Sequence, residues 1–122
     1  MNQNSPVRVA INGYGVIGKR VADAVFCQDD MVVAGVADVA TDWRLRLLES
    51  KGFALYGATP EQTIAMGEAG LPVVGTLDEL LAQSDIVVDC TPKRVAAQNI
   101  ETYRTRSIKF IVQGGEKHDA TG

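Results

Sequence analysis

The sequence has no apolar run long enough to cross a membrane, since its longest runs resemble MVVAGVA at Met31 to Ala37. It also has no excess of positive charge, because 12 Lys and Arg against 15 Asp and Glu give a net charge of −3. We therefore expect neither a nucleic acid nor a membrane surface as partner. The N-terminal segment MNQNSP is polar and lacks the apolar core of a signal peptide, which predicts no secretory leader.

Cysteine and histidine are scarce as well. The chain has two cysteines, Cys27 and Cys90, and a single histidine, His118. Both cysteines fall within predicted regular elements, which indicates reduced thiols and a cytoplasmic protein rather than a disulfide scaffold. Because no histidine lies near either cysteine in the sequence, we interpret both as core residues and His118 as a solvated loop residue. We predict no catalytic residue and no metal site in this chain.

A glycine-rich turn between the first predicted strand and the first predicted helix organises the chain. The segment VRVAINGYGVIG contains Gly13, Gly15 and Gly18 in G-x-G-x-x-G spacing. Gly13 permits a sharp turn, Gly15 lets backbone approach a pyrophosphate, and Gly18 lets the helix pack close to the strand. Asp38 ends the next apolar run, where a carboxylate would meet an adenosine ribose. The pattern predicts a dinucleotide site; the alternative is a glycine-rich turn without a ligand.

Strands and helices alternate along the rest of the chain. Strands are predicted over 7–12, 31–37, 53–58, 85–90 and 108–112, with a short extended piece over 71–75. Helices are predicted over 16–28, 41–51, 59–70 and 93–106, with another opening at 76. This alternation predicts an α/β fold, a Rossmann-type doubly wound parallel sheet with strand order 3-2-1-4-5. With no repeat or linker, residues 1–122 form one dinucleotide-binding domain.

The predicted helices carry recognisable start signals and an apolar face. Thr59 with Gln62, and Thr76 with Glu79, have the spacing of capping boxes. Either Thr41 or Asp42 can cap the helix that ends near residue 51. The side chains of the first helix that recur at helical spacing, and so are expected to face the sheet, are Val16, Ile17, Val21, Val25 and Phe26.

Four segments resemble the archaeal-type (type II) glyceraldehyde-3-phosphate dehydrogenases, namely INGYGVIGKRVADAV, QDDM, ELLAQSDIVVDCTP and QGGEKH. The similarity runs from Val7 to the last residue. Members of that family are considerably longer, so the resemblance implies an N-terminal cofactor-binding portion truncated before the catalytic domain. The family oxidises glyceraldehyde 3-phosphate with NAD or NADP and inorganic phosphate to 1,3-bisphosphoglycerate, through a cysteine thiolate.

The resemblance carries over cofactor positions only, because the family's nucleophile lies in a Ser-Cys-Asn-Thr-Thr type segment that this chain does not contain. We therefore expect a chain that binds cofactor without catalysis. The implied binding residues are Gly13, Gly15, Val16, Ile17 and Gly18 at the pyrophosphate, Thr91 and Pro92 near the ribose, and Gln113, Gly114 and Gly115 towards the nicotinamide. Relatives often carry a lysine where this chain has Asp38, which favours NAD and makes NADP a weaker candidate.

Two other functions stay open at this point. One is a stand-alone module that binds or senses NAD without chemistry, and the other is a different Rossmann reductase, such as a dihydrodipicolinate reductase. The resemblance implies a homotetramer for the longer enzyme. For the fragment we expect self-association, because its last strand leaves an open sheet edge and apolar surface would be uncovered.

Overall fold

In a computed structural model, which describes residues 5–39 and 43–113, strands and helices alternate as predicted. The strands are β1 (Val7–Asn12), β2 (Met31–Asp38), β3 (Leu55–Gly57), β4 (Val73–Thr76), β5 (Ile86–Asp89) and β6 (Lys109–Val112). The helices are α1 (Val16–Phe26), α2 (Leu47–Ser50), α3 (Pro60–Glu68), α4 (Leu77–Ala82) and α5 (Lys93–Thr105). A 3-10 turn over Trp43–Arg46 leads into α2. The predicted caps of that helix, Thr41 and Asp42, lie outside the described residues.

All strand pairs are parallel, and the order across the sheet is β4-β3-β2-β1-β5-β6. The predicted order of five strands is confirmed, with β5 and β6 as its fourth and fifth members. The prediction missed one strand, because residues 71–75 were expected only as an extended piece. They supply β4, which pairs with the short β3 at the edge of the sheet. The order reverses between β1 and β5, as it does in doubly wound sheets.

Alternating side chains divide the core into two apolar layers, one on each face of the sheet. Val9 and Ile11 of β1 pack with α1, α2 and α3, whereas Ala10 packs with α4 and α5. Neighbouring residues of β2 separate in the same way, Val36 to the first layer and Ala37 to the second. Burial of a large apolar side chain contributes roughly 1.5–3 kcal/mol, so both faces stabilise the fold. This two-sided burial explains why the central strands read as continuous apolar runs.

The predicted face of α1 is wrong at three positions, which are exposed: Val16 (68%), Ile17 (45%) and Phe26 (66%). The buried positions are Gly18, Ala22 and Val25. Small residues at two of these positions let the helix axis approach the strands, so the packing face follows size as well as hydrophobicity. The exposed residues of the first turn lie instead at the carboxyl edge of the sheet.

Both capping signals mark real helix starts. The Gln62 N–H donates to the Thr59 hydroxyl oxygen at 3.1 Å, at the beginning of α3. At α4 the Glu79 N–H donates to Thr76 Oγ1 at 3.3 Å, and the Thr76 N–H donates to Glu79 Oε1 at 2.8 Å. These side chains satisfy amides that the helix itself leaves without partners.

Candidate functional site

A cleft of about 690 Å³ opens at the carboxyl edge of the sheet, where the strand order reverses between β1 and β5. Its volume lies in the range of small-molecule sites. It is lined by Asn12, Gly13, Tyr14, Gly15, Val16, Ile17, Asp38, Val39, Ala58, Thr59, Leu77, Cys90, Thr91, Pro92, Val95, Gln98 and Asn99. Ligands of doubly wound sheets bind at this position.

The fold brings most of the predicted site residues to this cleft. Two described residues do not line it: Gly18 is buried in the first turn of α1, and Gln113 is exposed beyond the end of β6, where its N–H donates to the Asp89 carbonyl at 2.7 Å. Gly114 and Gly115 lie outside the described residues, as does His118.

The structure places different constraints on the three glycine positions of the motif. Gly13 has a φ of +100°, and a Cβ there would lie 3.0 Å from the Cys90 carbonyl. A Cβ on Gly18 would overlap the Gly13 carbonyl oxygen. A Cβ on Gly15 would meet no atom within 4 Å, and the φ of −83° suits any residue. The protein's own packing therefore requires glycine at 13 and 18 but not at 15, where the fold leaves open space in the cleft.

The N-terminus of α1 faces this open space without a side-chain cap. Gly15 is the N-cap residue, no described side chain accepts a hydrogen bond there, and the first turn has no acidic residue. The Lys19 N–H is bonded to the Gly15 carbonyl at 2.9 Å, so the amides before it lack intrahelical partners. An uncapped helix start beside an open glycine suits an anionic group such as a phosphate.

The Asp38 side chain lies at the edge of the cleft and accepts hydrogen bonds from two backbone amides. Its Oδ2 accepts from the Tyr14 N–H at 2.7 Å, and its Oδ1 accepts from the Val39 N–H at 2.7 Å. Hydrogen bonds from amides to a carboxylate are short and strong. The half-buried Asp38 side chain thus ties the end of β2 to the glycine turn while remaining part of the cleft wall.

Sequence reasoning missed a buried polar cluster beneath the cleft. Asp89, at the end of β5, is fully buried. Its Oδ1 accepts from the Thr91 N–H at 2.9 Å and from the Thr91 hydroxyl. Its Oδ2 accepts from Tyr103 Oη at 2.5 Å and from Asn99 Nδ2 at 2.9 Å. Asn12 Nδ2 donates to Tyr103 Oη at 2.8 Å. The available signal was an aspartate inside the apolar strand DIVVDC.

The two cysteines occupy different surroundings. Cys27 is exposed at the end of α1, so its interpretation as a core residue is wrong. Cys90 is half-buried in the cleft wall. Burial, and then the neighbouring Asp89 carboxylate, raise the pKa of the Cys90 thiol to about 11. A nucleophilic thiol needs a lowered pKa, so Cys90 lacks the environment of an activated cysteine.

We expect Cys90 to react slowly with a thiol reagent such as iodoacetamide. A pKa of about 11 leaves roughly one thiolate in a thousand at pH 8. In a Cys27→Ser variant, the alkylation rate of Cys90 should keep rising with pH through pH 10. The Cys90→Ser variant allows the same measurement on the exposed Cys27. At pH 8 we expect Cys27 in this variant to be alkylated faster than Cys90 in the Cys27→Ser variant. A Cys90 rate that levels off near pH 7 would contradict this assignment.

No metal centre or membrane segment is found in the part of the chain that the structure describes. Residues 5–39 and 43–113 hold no group of three or more His, Cys, Asp or Glu side chains placed to bind a metal ion. Across the same two ranges, no helix combines the length and the apolar character that crossing a bilayer requires.

Comparisons with known proteins agree with this geometry. The family model described as "Dihydrodipicolinate reductase, N-terminus" matches residues 7–115. The glyceraldehyde-3-phosphate dehydrogenase of Methanothermobacter thermautotrophicus is 56% identical over 116 residues, which are 95% of this chain and 34% of the relative. The enzymes of that name from Methanothermus fervidus and Methanobacterium bryantii are 50% and 53% identical, each over 93% of this chain and 34% of the relative.

The chain thus spans about a third of the length of these relatives. The resemblance that the sequence motifs suggested is confirmed. The family match covers the same residues that form the Rossmann-type sheet and the glycine turn at its switch point. The chain belongs to the family of Rossmann-type domains described as "Dihydrodipicolinate reductase, N-terminus", and it is similar over nearly all its length to the cofactor-binding portion of archaeal glyceraldehyde-3-phosphate dehydrogenases.

Proposed function

We propose that this chain binds a nicotinamide dinucleotide, NAD in preference to NADP, in the cleft between β1 and β5. It would do so as the cofactor-binding portion of a phosphorylating glyceraldehyde-3-phosphate dehydrogenase. The observation that carries the proposal is the open space at Gly15 beside the uncapped start of α1. No protein atom requires glycine at this position, whereas a pyrophosphate lying against the backbone does.

The residues fit a dinucleotide in three groups. Gly15 and the amides of Val16 and Ile17 would hold the pyrophosphate. Asp38 would accept hydrogen bonds from the adenosine ribose, and Thr91 with Pro92 would line the cleft near a ribose of the cofactor. The same proposal places Gln113, Gly114 and Gly115 towards the nicotinamide. When bound, the cofactor would supply the hydride acceptor for aldehyde oxidation, while this chain binds it, orients it and excludes water from one side.

We propose further that this chain alone does not catalyse the reaction. Acyl transfer needs an accessible thiolate with a base within hydrogen-bond reach. The raised pKa keeps Cys90 protonated, and Cys27 lies at the far end of α1, away from the cleft. The nucleophile would therefore come from outside residues 1–122. Activity of the whole protein on glyceraldehyde 3-phosphate is a proposal that its relatives support.

A different Rossmann reductase is the second candidate, because the description of the matching family model names dihydrodipicolinate reductase. Identities of 50–56% to archaeal dehydrogenases favour the first candidate. The assembly and location stay predictions: a homotetramer for the longer enzyme, a cytoplasmic setting, and self-association of the fragment. The described sheet ends at β4 and β6, where Val74 and Ile111 are exposed, which is consistent with self-association.

Titration calorimetry with NAD, followed by an assay with glyceraldehyde 3-phosphate, phosphate and NAD, tests both halves of the proposal. We expect saturable binding of NAD by the unmodified chain and no formation of reduced nicotinamide. Absence of binding would contradict the cofactor assignment. Turnover that disappears in a Cys90→Ser variant would show that Cys90 is a nucleophile after all and would overturn the non-catalytic assignment.

A further inference from the structure

The carboxyl group of Asp89 forms the centre of a buried hydrogen-bond cluster beneath the cleft. Asp89 is fully buried, and each of its two oxygens accepts from two donors. Burying a carboxyl group is costly unless its oxygens accept hydrogen bonds, and these donors satisfy both oxygens. The cluster also holds in place a residue of the cleft wall, Thr91.

The cluster joins three elements at the point where the cleft opens. Asn12 ends β1, Asp89 ends β5, and Tyr103 lies in α5. Their side chains form a continuous chain of hydrogen bonds, with distances of 2.8 Å and 2.5 Å. Its outer end is Thr91, a cleft residue whose amide and hydroxyl both donate to Asp89. Movement of Thr91 relative to the two strands would break this chain.

The direction of the Thr91 hydrogen bond has a chemical consequence. A hydroxyl has one proton to donate and two lone pairs to accept with. The Thr91 proton is directed to Asp89, and the hydroxyl oxygen accepts from Asn99 Nδ2 at 3.5 Å, so this oxygen has one remaining lone pair to offer to the cleft. It therefore suits a ligand group that donates a hydrogen bond, such as a ribose hydroxyl, and not a phosphate oxygen, which accepts.

We propose that Asp89, held by Tyr103 and Asn99, is a positioning residue that fixes the Thr91 hydroxyl as a hydrogen-bond acceptor for a ribose hydroxyl of the bound dinucleotide. This inference rests on the proposed function, because it assumes that the cleft binds NAD. It adds that recognition at Thr91 depends on residues that never touch the ligand.

Tyr103 can be substituted to test this role without changing a residue that lines the cleft. It is fully buried, and its ring packs against Phe110 with centroids 5.5 Å apart. Tyr103→Phe keeps the ring and removes the hydroxyl that bonds to Asp89. We expect the Kd for NAD to rise about fivefold, the loss typical of a loosened hydrogen bond. The matched control is Tyr56→Phe at another buried tyrosine, which removes a hydroxyl that accepts from Gln83 Nε2 at 3.0 Å. It should leave the Kd within about twofold.

A double-mutant cycle then separates positioning from general destabilisation. Thr91→Val removes the hydroxyl with little change in shape and should raise the Kd about tenfold, whereas Thr91→Ser should restore it to within about twofold. If Asp89 acts through Thr91, adding Tyr103→Phe to Thr91→Val should weaken NAD binding no further. A merely structural role predicts that the two effects multiply.

The outcomes distinguish this inference from the proposed function. Measurable NAD binding by the unmodified chain, together with an unchanged Kd in Tyr103→Phe or multiplicative effects in the cycle, would overturn the positioning role alone. No NAD binding by the unmodified chain would overturn both. Circular dichroism checks that each variant is folded. Should Tyr103→Phe fail to fold, Asp89→Asn replaces it in the same cycle, with the same expected coupling to Thr91→Val.

Discussion

Replacing Gly15 by valine should abolish NAD binding and leave the fold intact. The φ of −83° at Gly15 is accessible to valine, and its Cβ would meet no atom of the protein within 4 Å. The side chain would instead occupy the space in which a pyrophosphate contacts the start of α1. We expect affinity to fall at least about a hundredfold, or about 2.7 kcal/mol, in titration calorimetry. The melting temperature should fall by several degrees at most, since replacing an N-cap residue by a poor one typically costs about 1 kcal/mol.

Two further glycines provide matched controls for this variant. Gly67 lies in α3, away from the cleft, and a Cβ there would approach only Val73 Cγ1, at 3.9 Å. Gly67→Val should therefore bind NAD as the unmodified chain does. Gly18→Val should fail to fold, because even a Cβ would overlap the Gly13 carbonyl oxygen. If Gly15→Val bound NAD with unchanged affinity, the phosphate site would not be where we propose it.

The unmodified chain should bind NAD at least about tenfold more tightly than NADP. The additional phosphate of NADP is attached to the adenosine ribose, which the proposal places against Asp38. Two unit charges 4 Å apart repel by about 1 kcal/mol in water and about 4 kcal/mol near a protein surface, so a tenfold preference needs only part of this repulsion. Parallel titrations with the two cofactors measure the ratio directly.

The choice of substitution matters because Asp38 also bonds to the Tyr14 and Val39 amides. Asp38→Asn removes the charge while keeping one acceptor oxygen, and it should narrow the NAD preference. Asp38→Ala should narrow it as well, with an additional loss of affinity for both cofactors as the glycine turn loosens. Asp85→Asn is the control for charge, since Asp85 pairs with Arg8 at the amino ends of the strands, away from the cleft. NADP binding as tight as NAD binding would contradict the role of Asp38.

Local patterns predicted most of the fold because each needs only neighbouring residues. The glycine spacing, the apolar run of β2 and the threonine caps at Thr59 and Thr76 all act over one turn or one strand. The edge strand β4 was missed because it is short, contains Gly75, and is held by pairing with β3 rather than by its own pattern. The α1 face was wrong because tight packing selected Gly18 and Ala22 over larger apolar side chains.

Only part of the site could be predicted from the sequence, for a similar reason. The glycine turn and Asp38 follow from a motif that is contiguous or at fixed separation in the chain. The bond from Asn12 to Tyr103 joins residues 91 positions apart, so no local pattern could reveal it. Only the fold brings the ends of β1 and β5 together with α5. The predicted nicotinamide residues Gly114 and Gly115 lie outside the described residues, and their role stays a prediction.

A titration of the ¹⁵N-labelled chain with NAD, followed by two-dimensional NMR, tests the central claim most directly. At 13.1 kDa the chain is well suited to this measurement. We expect saturable shifts of the amides of Gly13, Gly15, Ile17, Val39 and Thr91, all in the cleft between β1 and β5. Unchanged amides throughout this cleft at saturating NAD, or shifts confined to the β4 edge, would contradict it.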